Sequence, residues 1–255
     1  MSTILTLDKF YTNSNTVEIC VDVFLQYATD SIVEPSAGAG AFADYVDIML
    51  DIEPESSNII KQDFFKFDTT KYANYLGNPP FGTNASLAKK FFNHAAKGKG
   101  YIGFILPRTF RKVSVQNTLN LHFHLIEDVL LPENSFTRKD KPYSVSCVFQ
   151  VWEYREKKRE KIKLPITHED FSFVKTLEEA DFSIRRVGGS AGRVLTKEKT
   201  GAAPSHYFMK SSPEVLERLK SLYSEFQEVA KDTAGYPSLG KGELVKLYSI
   251  SKNIS

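Results

Sequence analysis

Apolar residues recur at helical spacing near the start of the chain: Val17, Cys20, Val21, Phe24, Leu25 and Ala28 share one face. The pattern predicts an amphipathic helix over 15–28, with Asn15 and Glu18 as a capping pair. From there to residue 153 short apolar runs alternate with helical stretches. The runs Ser31–Glu34, Val46–Ile52, Asn58–Gln62, Tyr72–Gly77, Gly100–Leu106, Leu125–Leu131 and Tyr143–Trp152 read as strands. The clearest helix between them is Asn84–Lys97, with Leu87, Phe91 and Ala95 turned inward. This alternation predicts an α/β fold, Rossmann-like, on a mostly parallel seven-stranded sheet. The final two strands lack a helical crossover, so they pair as an antiparallel edge.

The mixed charge run over 153–163 reads as a solvated strand edge or linker, or as a phosphate-contacting patch. A domain boundary is placed there, giving units 1–153 and 154–255, the second a small α+β region. Within it Asp181–Val187 reads as a strand and Gly188–Gly192 as a Gly-rich turn. Pro213 opens a helix capped by Ser212, its apolar face running from Val215 to Phe226.

Composition changes this picture little. The 255 residues are 42% hydrophobic and 25% charged, the balance of a soluble globular protein. Aromatic residues reach 13%, enough to fill a core and leave a few rings for base stacking. A net charge of +2 advertises no polyanion, so any nucleic-acid contact must come from local clusters. Two cysteines exclude a disulfide framework. No signal-like start is present, and no apolar run reaches the roughly 20 residues of a membrane span. A reducing, cytoplasmic setting is expected.

The candidate chemistry lies at the ends of the predicted strands. Glu34-Pro35-Ser36-Ala37-Gly38-Ala39-Gly40 is a strand end and small-residue loop that feeds a predicted helix amino terminus. Gly38 and Gly40 permit close approach of a ligand. The spacing also fits a dinucleotide turn, with Ala43 at the third glycine position, or a purely structural loop. Glu34 suits an ammonium better than a pyrophosphate. Asp51 closes the next strand, where a carboxylate can accept both hydroxyls of a ribose, or merely cap a helix. Asp63-Phe64 follows the third strand, where an acid can accept an adenine amine while the ring covers its face. Asn78-Pro79-Pro80-Phe81 follows the fourth. There Asn78 Oδ1 and the Pro79 carbonyl can hold the two hydrogens of an exocyclic amine, with prolines fixing the carbonyl direction.

This order resembles the S-adenosylmethionine-dependent amino-methyltransferases, most closely the N6-adenine methyltransferases with their cofactor motif first, the gamma arrangement. The resemblance covers residues 8–152. It implies S-adenosylmethionine as cofactor. Glu34, Pro35, Ser36, Gly38 and Gly40 would hold the methionine part, Asp51 and Ile52 the ribose side, and Asp63 and Phe64 the adenine. The stretch Asp8-Lys9-Phe10-Tyr11-Thr12 is similar to the family's amino-terminal motif and brings Tyr11 and Thr12 to the methionine end. Asn78, Pro79, Pro80 and Phe81 would be catalytic, with Asn78 also beside the cofactor and Phe81 stacked on a flipped adenine of double-stranded DNA.

Substrate contacts are expected from Arg108, Arg111 and Lys112, from Arg185, Arg186 and Arg193 around the Gly-rich turn, and from Lys241 in Ser238–Gly242. Arg138–Lys141 is a further basic loop. His122 and His124 share a strand face without further ligands, so no metal is expected. Competing readings are adenine methylation of RNA, glutamine methylation of a protein, and an inactive nucleic-acid-binding subunit. The glutamine enzymes usually carry Tyr where this chain has Phe81. The chain signals neither a recognition sequence nor a companion endonuclease.

Overall fold

The computed structural model describes residues 10–138, 141–143, 145–233 and 235–254, which divide into two compact units. The first comprises residues 1–110 and 114–161, the second 111–113 and 162–255. The division thus falls beyond the expected 153/154, and Arg111 and Lys112 of the first basic cluster group with the second unit.

In the first unit β1 (Tyr11–Thr12) precedes α1 (Ser14–Phe24). The cap is Asn13, not Asn15: its side chain accepts from the Thr16 amide. Then follow β2 (Ile32–Glu34), β3 (Ile48–Asp51), β4 (Ile60–Lys61), β5 (Asn74–Gly77), α2 (Ser86–Ala95) and β6 (Tyr101–Pro107). After α3 (Val113–Gln116) come β7 (Phe123–Leu130), β8 (Phe136–Arg138), β9 (Lys141–Tyr143) and β10 (Cys147–Tyr154). The seven-stranded sheet runs β4-β3-β2-β5-β6-β10-β7. Its first five strands are parallel, and β10 is antiparallel to both β6 and β7. The antiparallel strand therefore lies one place in from the edge, and β7 is the edge. The order reverses between β3 and β5 on either side of β2, the switch point where ligands of Rossmann-like sheets gather. A separate small sheet runs β1-β8-β9.

Both faces of the large sheet are covered. Leu76, Ile105, Phe149 and Val151 pack with Val17, Cys20, Val21 and Phe24 of α1. Tyr75, Ile102, Phe104 and Trp152 pack with Ala88, Phe91, Phe92 and Ala95 of α2. Successive strand residues entering opposite clusters is the period-two alternation of a doubly covered sheet. Gly103 sits where a Cβ would come within 2.4 Å of the Phe24 ring, so the strand needs glycine for the helix to approach. The charge run lies along the edge strand. Arg155 and Arg159 amides donate to the carbonyls of His122 and Leu121, and His122 and His124 rings donate to those of Arg155 and Lys157. These contacts cover the start of the edge strand.

In the second unit β11 (Phe171–Val174), β12 (Phe182–Arg185), β13 (Val194–Leu195) and β14 (His206–Ser211) form an antiparallel sheet in the order β11-β14-β12-β13. The helices are α4 (Pro213–Ser221), α5 (Tyr223–Ala230) and α6 (Lys241–Ile254). Ser212 caps α4 as expected, but the helix breaks at Leu222 instead of running on to Phe226. Of the turn read at Ser238–Gly242, Lys241 and Gly242 open α6, and Ser238 bridges to Val187. Among the described residues no helix is long and apolar enough to cross a membrane.

Candidate active site

Parallel strands set their carboxyl ends side by side. The sheet order places Asp63, Asp51, Glu34 and Asn78 along one edge, at or just after β4, β3, β2 and β5. The neighbours are knitted together. Gly38 N–H donates to Asp51 Oδ2 at 2.7 Å, Glu53 N–H to Asp51 Oδ1 at 2.8 Å, and Ser36 Oγ to the Asn78 carbonyl at 3.2 Å. The Gly38 carbonyl accepts from the Glu55 amide, and Glu55 accepts from the Tyr11 hydroxyl at 2.9 Å. Tyr11 and Thr12 of the small sheet thus reach the same edge as the glycine loop.

The loop does not feed a helix of several turns. Only a single 3-10 turn, Ala43–Tyr45, fits between buried Phe42 and β3. No helix dipole therefore serves this loop. Gly38 adopts φ +55°, and a Cβ there would meet no atom within 4 Å, so the loop leaves open space above it.

Glu34 is the electrostatic anomaly. It is 2% exposed, and its Oε2 has no hydrogen-bond partner. Burial, then the charge of Asp51, pushes its carboxyl up to about 8. Gly77 makes room for it: a Cβ there would stand 3.1 Å from Glu34 Cγ. A buried carboxylate with no cation in its own protein is stabilised by a cationic ligand.

Asp63 caps the short turn Phe64–Lys66, Oδ1 accepting from Phe65 N–H. Capping leaves Oδ2 unused among the described residues, so the cap does not exclude a ligand contact. Phe64 does not fill its expected place. It is 2% exposed, stacked on Phe67 and Phe91 and edge-on to Tyr75 and His94, so neither face is open to an adenine. Its neighbour Phe65 is 40% exposed. Ile52, directly after Asp51, is 55% exposed, an apolar surface beside the carboxylate.

In the Asn78-Pro79-Pro80-Phe81 loop, Asn78 Nδ2 donates to Thr12 Oγ1 at 3.2 Å. The Asn78 carbonyl is taken by Ser36, and the Phe81 carbonyl accepts from Leu87 and Ala88 amides at 3.0 and 3.2 Å. Asn78 Oδ1 and the Pro79 carbonyl accept nothing among the described residues. The Phe81 ring is half-buried where the two core clusters meet. Behind it Gly82, Asn84 and Ala85 all take positive φ, and Ala85 is buried. Two non-glycine residues in this region store backbone strain of roughly 1–3 kcal/mol each.

The first basic cluster is corrected. Lys112 Nζ donates to the Val229 and Ser238 carbonyls and to Glu243 Oε2, which occupies all three of its hydrogens. Arg111 faces Asp232 at 3.9 Å, and Arg108 is buried. None offers an open head group to a phosphate, because the turn carrying them is consumed by tertiary contacts. Asp8 and Lys9 lie outside the described residues, as do the side chains of Arg138–Lys141. Arg185 and Arg193 are exposed and Arg186 and Lys241 half-exposed, all in the second unit. Two contacts had no local signal in the sequence: Gly77 making room for Glu34, and Thr12 holding Asn78. Both join residues distant along the chain. Among the described residues no group of three or more metal-ligating side chains occurs.

No family model and no curated protein matches the chain. Among solved structures it is similar to a modification subunit of a provisionally assigned type I restriction enzyme from Vibrio vulnificus YJ016. That match has 15% identity and a TM-score of 0.44, over 59% of this chain and 46% of that one. It is also similar to the 23S rRNA methyltransferase ErmE, with 13% identity and a TM-score of 0.40, over 59% of this chain and 71% of that one. This chain thus spans less than half the length of the first. What it does is decided by its own residues.

Proposed function

We propose that this chain transfers the methyl group of S-adenosylmethionine to the N6 amine of adenine in DNA. One observation carries the reading. Ser36 takes the Asn78 carbonyl and Thr12 takes Asn78 Nδ2, while Asn78 Oδ1 and the Pro79 carbonyl accept no hydrogen bond among the described residues. They are the two acceptors that an exocyclic amine needs.

The cofactor side fits the residues present. Glu34 has an unpartnered buried oxygen for the methionine ammonium, Gly38 leaves open space, and Asp51 has exposed Ile52 at its side. S-adenosylmethionine, when bound, supplies a methyl group on a sulfonium leaving group. An aryl amine is a poor nucleophile because its lone pair is delocalised into the ring. Asn78 Oδ1 and the Pro79 carbonyl draw its two hydrogens aside and free that lone pair. The prolines fix the direction of the Pro79 carbonyl, and Thr12 Oγ1 receives Asn78 Nδ2, before the base arrives. Asn78 is neutral and takes no proton; the proton leaves after the nitrogen has become cationic. Phe81 supports the base with whatever face its half-buried position leaves.

The test is to incubate the protein with labelled S-adenosylmethionine and unmethylated DNA, total RNA or a protein extract, then digest and identify the product. N6-methyladenine in DNA is expected. Label on adenosine in RNA alone would replace DNA as the polymer, and methylglutamine would remove both nucleic acids. Asn78→Ala should lower transfer at least roughly 100-fold, the size of a lost electrostatic contact in the transition state. Cofactor affinity should hold within about threefold. An Ala variant that kept most of its turnover would refute the role of Asn78.

A further inference from the structure

Four cations of the second unit come from two turns far apart in sequence. Val187 and Ser238 form an isolated antiparallel bridge. Gly188 N–H donates to the Pro237 carbonyl and Leu239 N–H to that of Arg186, each at 2.8 Å. These contacts lay the Arg185–Arg193 turn against residues 236–241. Arg186 and Lys241 then share one ring: the guanidinium lies 5.3 Å and the ammonium 6.0 Å from the Tyr207 centroid, with Lys241 also 4.2 Å over Phe173. Arg193 lies over Tyr223, and Arg185 Nε donates to the Val187 carbonyl.

Among the described residues none of these four cations has a carboxylate within ion-pair distance. The nearby acid, Glu243, is committed to Lys112 and the Gly240 amide. Arg186 Nε is enclosed without an acceptor. A buried donor left unmade costs about 1–3 kcal/mol. Two like charges on one ring also repel, which an anion relieves.

Beside them stands Tyr236, 85% exposed, the most exposed large hydrophobic residue described. Its turn is pinned: Ser238 N–H donates to the Ala230 carbonyl, and Thr233 Oγ1 lies 3.2 Å from the Tyr236 carbonyl. A bare ring on a fixed turn beside unpaired cations matches a strand whose phosphates are held and whose bases stack.

We infer that Arg186 and Lys241 hold a phosphodiester of a nucleic-acid strand at the Tyr207 ring, while Tyr236 stacks on a base of that strand. This rests on the nucleic-acid reading proposed above and names how the polymer is gripped.

The full chain is titrated with a labelled single strand of about 30 nucleotides and with its duplex, by fluorescence anisotropy between roughly 50 and 200 mM salt. The double variant Arg186→Gln with Lys241→Gln should weaken binding at least roughly tenfold. It should flatten the logarithmic salt slope by about 1 to 2. Arg186→Lys keeps the slope and controls for folding. Tyr236→Ala should weaken the single strand roughly 5- to 100-fold with the slope unchanged, and Tyr236→Trp should keep affinity. Wild-type affinity and slope in the double variant would overturn the assignment, as would no binding by the unaltered protein. Methyl transfer is assayed on the same preparations. Binding with this signature but no transfer refutes the proposed reaction alone. Transfer to DNA with binding indifferent to the double variant refutes the grip alone.

Discussion

Each unit carries ionisable groups that lack a counter-charge, acidic in one and basic in the other. Among the described residues the first buries the Glu34 carboxyl with no cation beside it, and the second holds Arg185, Arg186, Arg193 and Lys241 with no carboxylate at ion-pair distance. Other charges of the second unit are matched, among them Lys112 with Glu243 at 2.8 Å and Lys252 with Glu169 and Asp170 at 2.8 and 3.0 Å. Matched charges hold a fold together. A buried ionisable group without a partner costs stability, and a ligand of the other sign relieves that cost. By this reasoning the first unit awaits a cation and the second an anion.

The largest expected effect breaks the first half of that contrast. Glu34→Gln should lower S-adenosylmethionine affinity by roughly 30- to 1,000-fold, the cost of removing one buried charged contact. The pH behaviour sharpens it. The carboxyl is held up to about 8 in the folded protein, above its ordinary 4.5. Between those values the folded state binds more protons than the unfolded one, so stability falls as pH rises through that window. The unaltered protein should lose roughly 2–4 kcal/mol more between pH 5 and pH 8 than the Gln variant does. Cofactor affinity should rise with pH toward 8 in the unaltered protein and stay flat in the variant. Calorimetric titration and thermal melts across pH read both. An affinity unchanged by Glu34→Gln would mean the buried carboxylate is an unexplained feature of the core.

The second prediction tests the matched side. Lys112→Ala removes the cation beside the largely enclosed Glu243, leaving it the Gly240 amide, and takes a donor from the Val229 and Ser238 carbonyls. It should destabilise the protein by roughly 2–4 kcal/mol in denaturant melts. It should not flatten the salt slope of nucleic-acid binding. A flattened slope with unchanged stability would return Lys112 to the phosphate-contacting residues.

The same contrast explains how much was legible in the sequence. Strands β2, β3, β5, β6, β7 and β10 are written as short apolar runs, and strand order carried Glu34, Asp51, Asp63 and Asn78 to one edge. What a charged residue does was less legible, because its partner is set by tertiary structure. Arg111 and Lys112 look as available in sequence as Arg185 and Arg186, yet one pair is consumed and the other is not. Phe64 was misplaced for a related reason. Adjacency to Asp63 suggested a ligand contact, but the apolar surroundings of Phe67, Tyr75 and Phe91 drew the ring inward and left Phe65 outside. Helix α6 was passed over because Gly240-Lys241-Gly242 read as a turn. Its signal was present: Leu244, Val245, Leu247 and Tyr248 lie at helical spacing, and Glu243 reaches back to the Gly240 amide in the manner of a capping box.

The smallest expected effect concerns how the Asn78 amide is held. Asn78 has one acceptor oxygen and two donor hydrogens on a side chain that can turn. Thr12 Oγ1, fixed in β1 by pairing with β8, receives Nδ2 and limits that turning. One hydrogen bond between neutral groups contributes roughly 0.5–1.5 kcal/mol, so Thr12→Val should reduce turnover about 2- to 12-fold. The loss should fall on kcat and not on cofactor affinity, because the contact orients an acceptor and leaves the Glu34 and Asp51 surroundings intact. Thr12→Ser, which restores a hydroxyl, should recover most of the rate. A Val variant that lost cofactor affinity instead, with kcat preserved, would move Thr12 from the amine side of the edge to the cofactor side.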